Sequence, residues 1–168
     1  ISGGKRPTLV HSEVLWAFPK ISLKKEEITE LVNNLVQNEI ITQNEADQID
    51  LEIIYKFAQS DIAKEIRQSK AVYKEAPFYI NLPAKEIYNQ ETKEQILVQG
   101  IIDLYYENAQ GELILLDYKT DKVETAEQLK QKYTTQLELY KKALERATGK
   151  KVKATYIYST CLGKTIEI

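Results

Sequence analysis

Three side chains have the types and spacing for hydrolytic chemistry: Asp103 in "QGIIDLYYE", and Asp117 and Lys119 in "LILLDYKT". The stretch "NAQG" is the only turn-like one between them, and a three-residue loop Ala109 to Gly111, with Gly supplying positive φ, is a standard hairpin connection. Centred on Gln110, that hairpin sets Asp103 opposite Asp117, with Cβ atoms roughly 4.5–5.5 Å apart. Side chains alternate along a strand, so Asp117 and Lys119 share a face and Asp103 joins them. Two carboxylates this close repel, and one is pushed to protonate unless a cation sits between them. Hard oxygen donors suit Mg2+ or Mn2+, and the Lys is then placed to hold or polarise a water or to meet a phosphate oxygen. That is equipment for phosphodiester hydrolysis. A surface Asp–Lys pair is the commonest meaning of such spacing, but exposed pairs need no aliphatic strand to deliver them, and this one has Leu113 to Leu116.

Other residues are candidates to stand around this group. In "QLELYKKAL", Gln136 and Tyr140 lie four residues apart and therefore on one face of a helix, where an amide and a phenol can bind a phosphate or an ordered water. With Leu129, Tyr133, Leu137 and Leu144 at core spacing, Tyr140 also reads as a core aromatic. His11, the sole histidine, reads as a satisfied helix residue or as a third metal ligand. Glu75 in "YKEAPFYI" either braces the site or ends a strand. Asp121 lies past the expected strand end and reads as a helix-entry residue or one standing behind the cluster. Trp16 and the eleven tyrosines are expected to pack or edge the surface, with stacking on single-stranded bases open to a few.

The elements that must position these groups follow from periodicity. In "EEITELVNNLVQNEI", Ile28, Leu31, Val32, Leu35 and Val36 recur at helical spacing. "NEADQIDLEIIYKFAQS" repeats the pattern with Ile49, Ile53 and Phe57, and with a start signal at Asn44. A third short helix fits Asp61 to Gln68. From about Ala71 the period changes: "AVYKEAPFYINL", "QILVQGIIDLYYE", "ELILLDYKT" and "KATYIYST" are short, β-branched and aromatic. One long helix, Ala126 to Thr148, interrupts them and is stopped by Gly149. The order predicts an α/β fold: a helical segment over 1–70, then a β-β-β-α-β core over 71–168 with a mixed sheet and a final hairpin around Gly163. The third strand, apolar on both faces, is predicted to be central.

Composition narrows the classes. At 168 residues the chain is one domain's worth, able to bury about 70% of its unfolded surface. No apolar run approaches a membrane span, and no signal peptide is evident, so cytoplasmic residence and no membrane partner are the default. The single Cys161 excludes an internal disulfide or a four-thiolate iron–sulfur cluster, and it is expected to be a half-buried strand residue. A formal charge of −2 argues against a generally basic nucleic-acid binder, although the lysines from Lys119 to Lys153 could make a local basic surface. The absence of Met and the opening "ISGG" suggest a fragment of a longer polypeptide.

Taken together, "GIIDLYY", "LLDYKTD" and "QLELY", with "PTLVH" and "EAPF" upstream, resemble the successive motifs of the RecB-type nuclease domain within the PD-(D/E)xK superfamily. The resemblance runs from His11 to Tyr140 and is closest to the AddA/RexA branch, carried at the C-terminus of bacterial helicase-nuclease subunits. It implies a restriction-endonuclease-like core and a Mg2+- or Mn2+-dependent deoxyribonuclease, an exonuclease acting in double-strand-break repair by recombination. It implies His11, Asp103 and Asp117 as metal ligands with the Tyr118 carbonyl, and Lys119 as the catalytic lysine. Gln136 and Tyr140 would be the pair that supports the site and contacts DNA. Pro7 stands where the family usually has Gly. The implied partners are a DNA strand delivered by a helicase and an AddB/RexB-like second subunit. ATP would enter only through helicase domains absent here, since no GxxxxGK[ST] occurs. The alternatives are a non-catalytic DNA- or partner-binding module of the same fold, and a stand-alone resolvase or restriction-type endonuclease.

Overall fold

The computed structural model describes residues 24–85 and 93–168. The expectations for Pro7, His11 and Trp16 therefore lie outside the described residues.

Among the described residues four helices precede the sheet: α1 (Lys25–Gln37), α2 (Gln43–Ala46), α3 (Leu51–Gln59) and α4 (Asp61–Gln68). The sequence pattern expects one helix starting at Asn44, but two capping residues divide that stretch. The Thr42 hydroxyl accepts from Glu45 N–H to start α2, and the Asp50 carboxylate accepts from Glu52 and Ile53 N–H to restart the chain as α3. A side-chain acceptor at an N-cap satisfies donors that an uninterrupted helix would bond to carbonyls, so each cap competes with continuation. Restarting at Leu51 makes Ile54, rather than Ile53, the fully buried residue beside Phe57.

Three antiparallel strands follow, β1 (Ala71–Pro83), β2 (Gln95–Glu107) and β3 (Leu113–Lys119). The long helix α5 (Ala126–Thr148) then returns the chain to β4 (Val152–Ser159), which pairs parallel to β3, and β5 (Lys164–Glu167) adds an antiparallel edge. A parallel pair needs such a crossover. Thr125 and Gln128 cap α5 reciprocally, and Gly149 ends it at φ 70°. The spatial order is that of the chain, β1-β2-β3-β4-β5, which makes β3 the central strand. Leu113 to Tyr118 are all buried.

Each face of β3 has its own core. Ile114, Leu116 and Tyr118 pack with Ile28 and Val32 of α1, Ile54 and Phe57 of α3, and Ile62 and Ile66 of α4. Leu113 and Leu115 pack with Leu129, Leu137 and Leu144 of α5. The result is a mixed five-stranded sheet between the N-terminal helices and α5, consistent with a restriction-endonuclease-like fold. Among the described residues no helix is long and apolar enough to cross a membrane.

One surface expectation is corrected. Cys161 is exposed in the turn between β4 and β5 rather than half-buried in a strand, because β4 stops at Ser159 and Gly163 (φ 62°) already belongs to the reversal. Within the basic run, three lysines are paired with acids: Lys132 with Asp121, Lys150 with Glu107 at 2.6 Å, and Lys153 with Glu112 at 3.2 Å. Acidic residues from the strand ends supply those partners, which a count along the chain does not reveal.

Candidate active site

The site grows out of the β2–β3 hairpin. Asn108 N–H donates to the Glu112 carbonyl at 3.0 Å, closing the three-residue loop, and Gly111 adopts φ 82°. The Asn108 side chain accepts from Gln110 and Glu112 N–H, fixing the turn from within. The ladder then runs Glu107↔Leu113, Tyr106↔Ile114, Tyr105↔Leu115 and Leu104↔Leu116. One step further along this register the sequence pattern expects Asp103 opposite Asp117, and the two lie near enough for the Asp103 charge to act on Asp117.

Past Leu104↔Leu116 the backbone ladder gives way to a side chain: Asp103 Oδ2 accepts from Tyr118 N–H at 2.9 Å. In an antiparallel ladder a residue directs its N–H and C=O to the same side. The Tyr118 carbonyl is therefore also turned toward β2.

Asp117 is buried, and Lys119 Nζ lies 2.6 Å from its Oδ2. That ammonium is the polar partner of this buried oxygen among the described residues. Lys119 also reaches Gln136 Oε1 at 3.5 Å, and Gln136 Nε2 donates to Tyr140 Oη at 3.1 Å. Thus α5 lays its polar residues beside the end of β3, and Asp103, Asp117, Lys119, Gln136 and Tyr140 form one connected group. Glu75 stands apart: it is exposed, lies in the middle of β1 rather than at a strand end, and carries a positive φ of 46°.

Two contributors escape the sequence reading. The Tyr133 ring lies 4.2 Å from Lys119 Nζ, and its hydroxyl donates to Asp121 at 2.8 Å. Its spacing, three before Gln136 and seven before Tyr140, is the signal that could have found it. Phe78 meets Tyr140 edge to face at 5.2 Å, and a Cβ on Gly100 would come within 2.9 Å of that Phe78 ring. Gly100 is therefore required by close approach. Asp121, holding Tyr133 and Lys132, is a residue behind the cluster at the entry to α5.

The electrostatics follow from burial. Removal from water and then the Asp103 charge raise the Asp117 pKa, Lys119 offsets part, and the result is about 6. Burial also raises Asp103, against the Tyr118 N–H and Lys119. Burial works against the Lys119 charge, but Asp117 and Asp103 outweigh it and hold the ammonium above its ordinary value. Two carboxylates facing one ammonium leave an excess of negative charge. Hard oxygens in this state fit a divalent cation. Among the described residues no cluster of three His, Cys, Asp or Glu side chains forms, so two carboxylates and a backbone carbonyl are the donors available there.

A titration tests the charge balance of the pair. An Asp whose folded pKa is raised above about 3.9 binds its proton more tightly when folded. The metal-free chain should therefore lose stability as pH rises from about 4 through about 6, the value to which Asp117 is raised. Mn2+ competes with that proton, so its stabilising effect should grow over the same window. Thermal unfolding with EDTA or Mn2+ across this range measures both, and no pH dependence in EDTA would contradict the assignment.

Over its whole length the chain is 39% identical to the ATP-dependent helicase/nuclease A-subunit of Clostridium botulinum (strain 657 / Type Ba4), and the match covers 13% of that protein. The corresponding A-subunit of Clostridium kluyveri (strain ATCC 8527) is 45% identical over 138 residues, 79% of this chain and 11% of the relative. The chain thus spans about an eighth of the length of these curated relatives. The family model of the PD-(D/E)XK nuclease superfamily matches residues 8–165, nearly the entire chain and all of the carboxylate–lysine group, and to that superfamily the chain belongs.

Proposed function

We propose that this chain is the nuclease module of a bacterial helicase-nuclease, a cytoplasmic Mg2+- or Mn2+-dependent deoxyribonuclease. It would act as an exonuclease on a strand delivered by a helicase during recombinational repair of double-strand breaks. The supporting observation is the buried Asp117 carboxylate, paired with Lys119 at 2.6 Å and set beside Asp103 at the end of the central strand. The relatives' name, helicase/nuclease, supports the wider context, including ATP use by other domains and a second subunit like AddB/RexB. Residues 1–70 would form the helical entry carrying His11, and 71–168 the nuclease core.

In this reading Asp103, Asp117 and the Tyr118 carbonyl hold the metal, with His11 as a further ligand. The bound ion would lower the pKa of a water and neutralise charge developing on the phosphate. Asp103 keeps its Tyr118 hydrogen bond, so its other oxygen is presented in a fixed direction. Lys119, anchored through Gln136, orients the attacking water or meets a non-bridging oxygen. Tyr140 steadies Gln136 and would contact the strand beside it.

The test is cleavage of end-labelled single-stranded DNA by the purified chain with Mg2+ or Mn2+, beside Asp103→Ala and Lys119→Ala. Each substitution should reduce turnover by about a hundredfold or more. Cleavage surviving both at wild-type rate would remove the proposal.

A further inference from the structure

We propose that the backbone at Glu75 is the device that aims Asp103, which makes Glu75 a positioning residue acting through its conformation and not through its carboxylate. The inference rests on the nuclease reading of the carboxylate pair. Glu75 sits in the middle of a thirteen-residue strand, yet its φ is +46°, in the left-handed region that residues with a Cβ rarely adopt. At the same point the β1–β2 pairing is interrupted. It runs to Lys74↔Leu104 and resumes at Ala76↔Ile102 in unchanged register, so the position passed over is that of Glu75 and Asp103.

The core changes there too. Val72 of β1 and Leu104 and Tyr106 of β2 belong with the N-terminal helices, whereas Ala76, Phe78 and Ile102 belong with α5. Residues two apart on a regular strand point the same way. The ribbon must therefore turn about its own axis between Leu104 and Ile102, and the left-handed residue supplies that turn. Asp103, at the turning point, directs its carboxylate to the Tyr118 N–H instead of lying in a flat ladder. The Glu75 side chain is exposed, which leaves its backbone as the part that acts.

The test compares Glu75→Gly, Glu75→Gln and Glu75→Val in the 168-residue chain. Gly accepts positive φ freely, Gln keeps the shape without the charge, and a β-branched residue resists the conformation. Without metal, amide exchange at Tyr118 reports how well Asp103 is aimed. Gly and Gln should leave that exchange and Mn2+ affinity within about twofold of wild type, whereas Val should speed Tyr118 exchange and weaken Mn2+ binding by about tenfold. On single-stranded DNA the Val variant should lose kcat with KM unchanged. If Glu75→Val does not fold, Glu75→Ala should show the same pattern at smaller size. A Gln variant as impaired as Val would mean that the carboxylate acts, and a Val or Ala variant with wild-type Tyr118 exchange would mean that the turn does not aim Asp103; either overturns the inference. Absent cleavage by the wild type would count against the nuclease reading, and Tyr118 exchange would still decide this one.

Discussion

Asp117→Asn is expected to abolish cleavage, by about a thousandfold or more, while making the metal-free protein more stable. The two effects have one origin. Asp117 is 2% exposed, and burial and Asp103 raise its pKa to about 6 although the Lys119 ammonium lies 2.6 Å from its Oδ2. At neutral pH the folded chain therefore carries a charge it would shed if it could. A neutral amide of the same shape removes the repulsion, a gain of about 1–3 kcal/mol, and Lys119 keeps Gln136 and the Tyr133 ring as neighbours. For a chain of this size that is a rise in Tm of about 3–8 °C in EDTA. Added Mn2+ should stabilise the wild type and leave the variant unmoved. An Asn variant less stable than wild type in EDTA would show that Asp117 serves the fold, as one half of an ion pair with Lys119, and not a cation.

Phe57→Ala is expected to have the largest effect on stability of any single truncation near the site. The Phe57 ring is buried and meets Tyr118 at 5.5 Å and Tyr158 at 4.7 Å between centroids, edge to face in both cases. It thereby fastens α3 to the back of the two parallel strands at the centre of the sheet. Truncating a buried Phe costs about 3–5 kcal/mol through lost burial and the cavity left behind. Here the lower end is expected, because Tyr118 Oη and Tyr158 Oη are buried without hydrogen bonds among the described residues, and water entering the cavity would satisfy them. A lower midpoint in urea at unchanged m-value, with Tm down by about 6–12 °C, is the expected result. Tyr118 N–H holds Asp103, so Mn2+ affinity should fall as well. A loss below about 1 kcal/mol would mean that the N-terminal helices do not brace the central strand.

Much of this was legible in the residues themselves. The long helix closes at Gly149, and the "NAQG" loop sets the hairpin register, because each depends on backbone conformations that only a few residue types adopt. That register brings Asp103 to Asp117, and strand alternation adds Lys119 to the same face. Where two local signals competed, the pattern was ambiguous: hydrophobic period continues through the Thr42 and Asp50 caps, and the caps prevailed.

The sequence by itself determined an α/β order, a buried central strand and a pair of carboxylates with a lysine beside them. These are short-range matters of period, turn chemistry and register. The tertiary structure alone decided that Tyr133 covers Lys119, that Phe78 presses on Gly100, that Cys161 is exposed, and that the basic residues meet acids from distant strands. It also decided that β1 turns at Glu75, where the strand leaves one core for the other. Such facts depend on what the far side of the sheet and the crossover helix bring near, and neighbours in space leave no mark in local spacing.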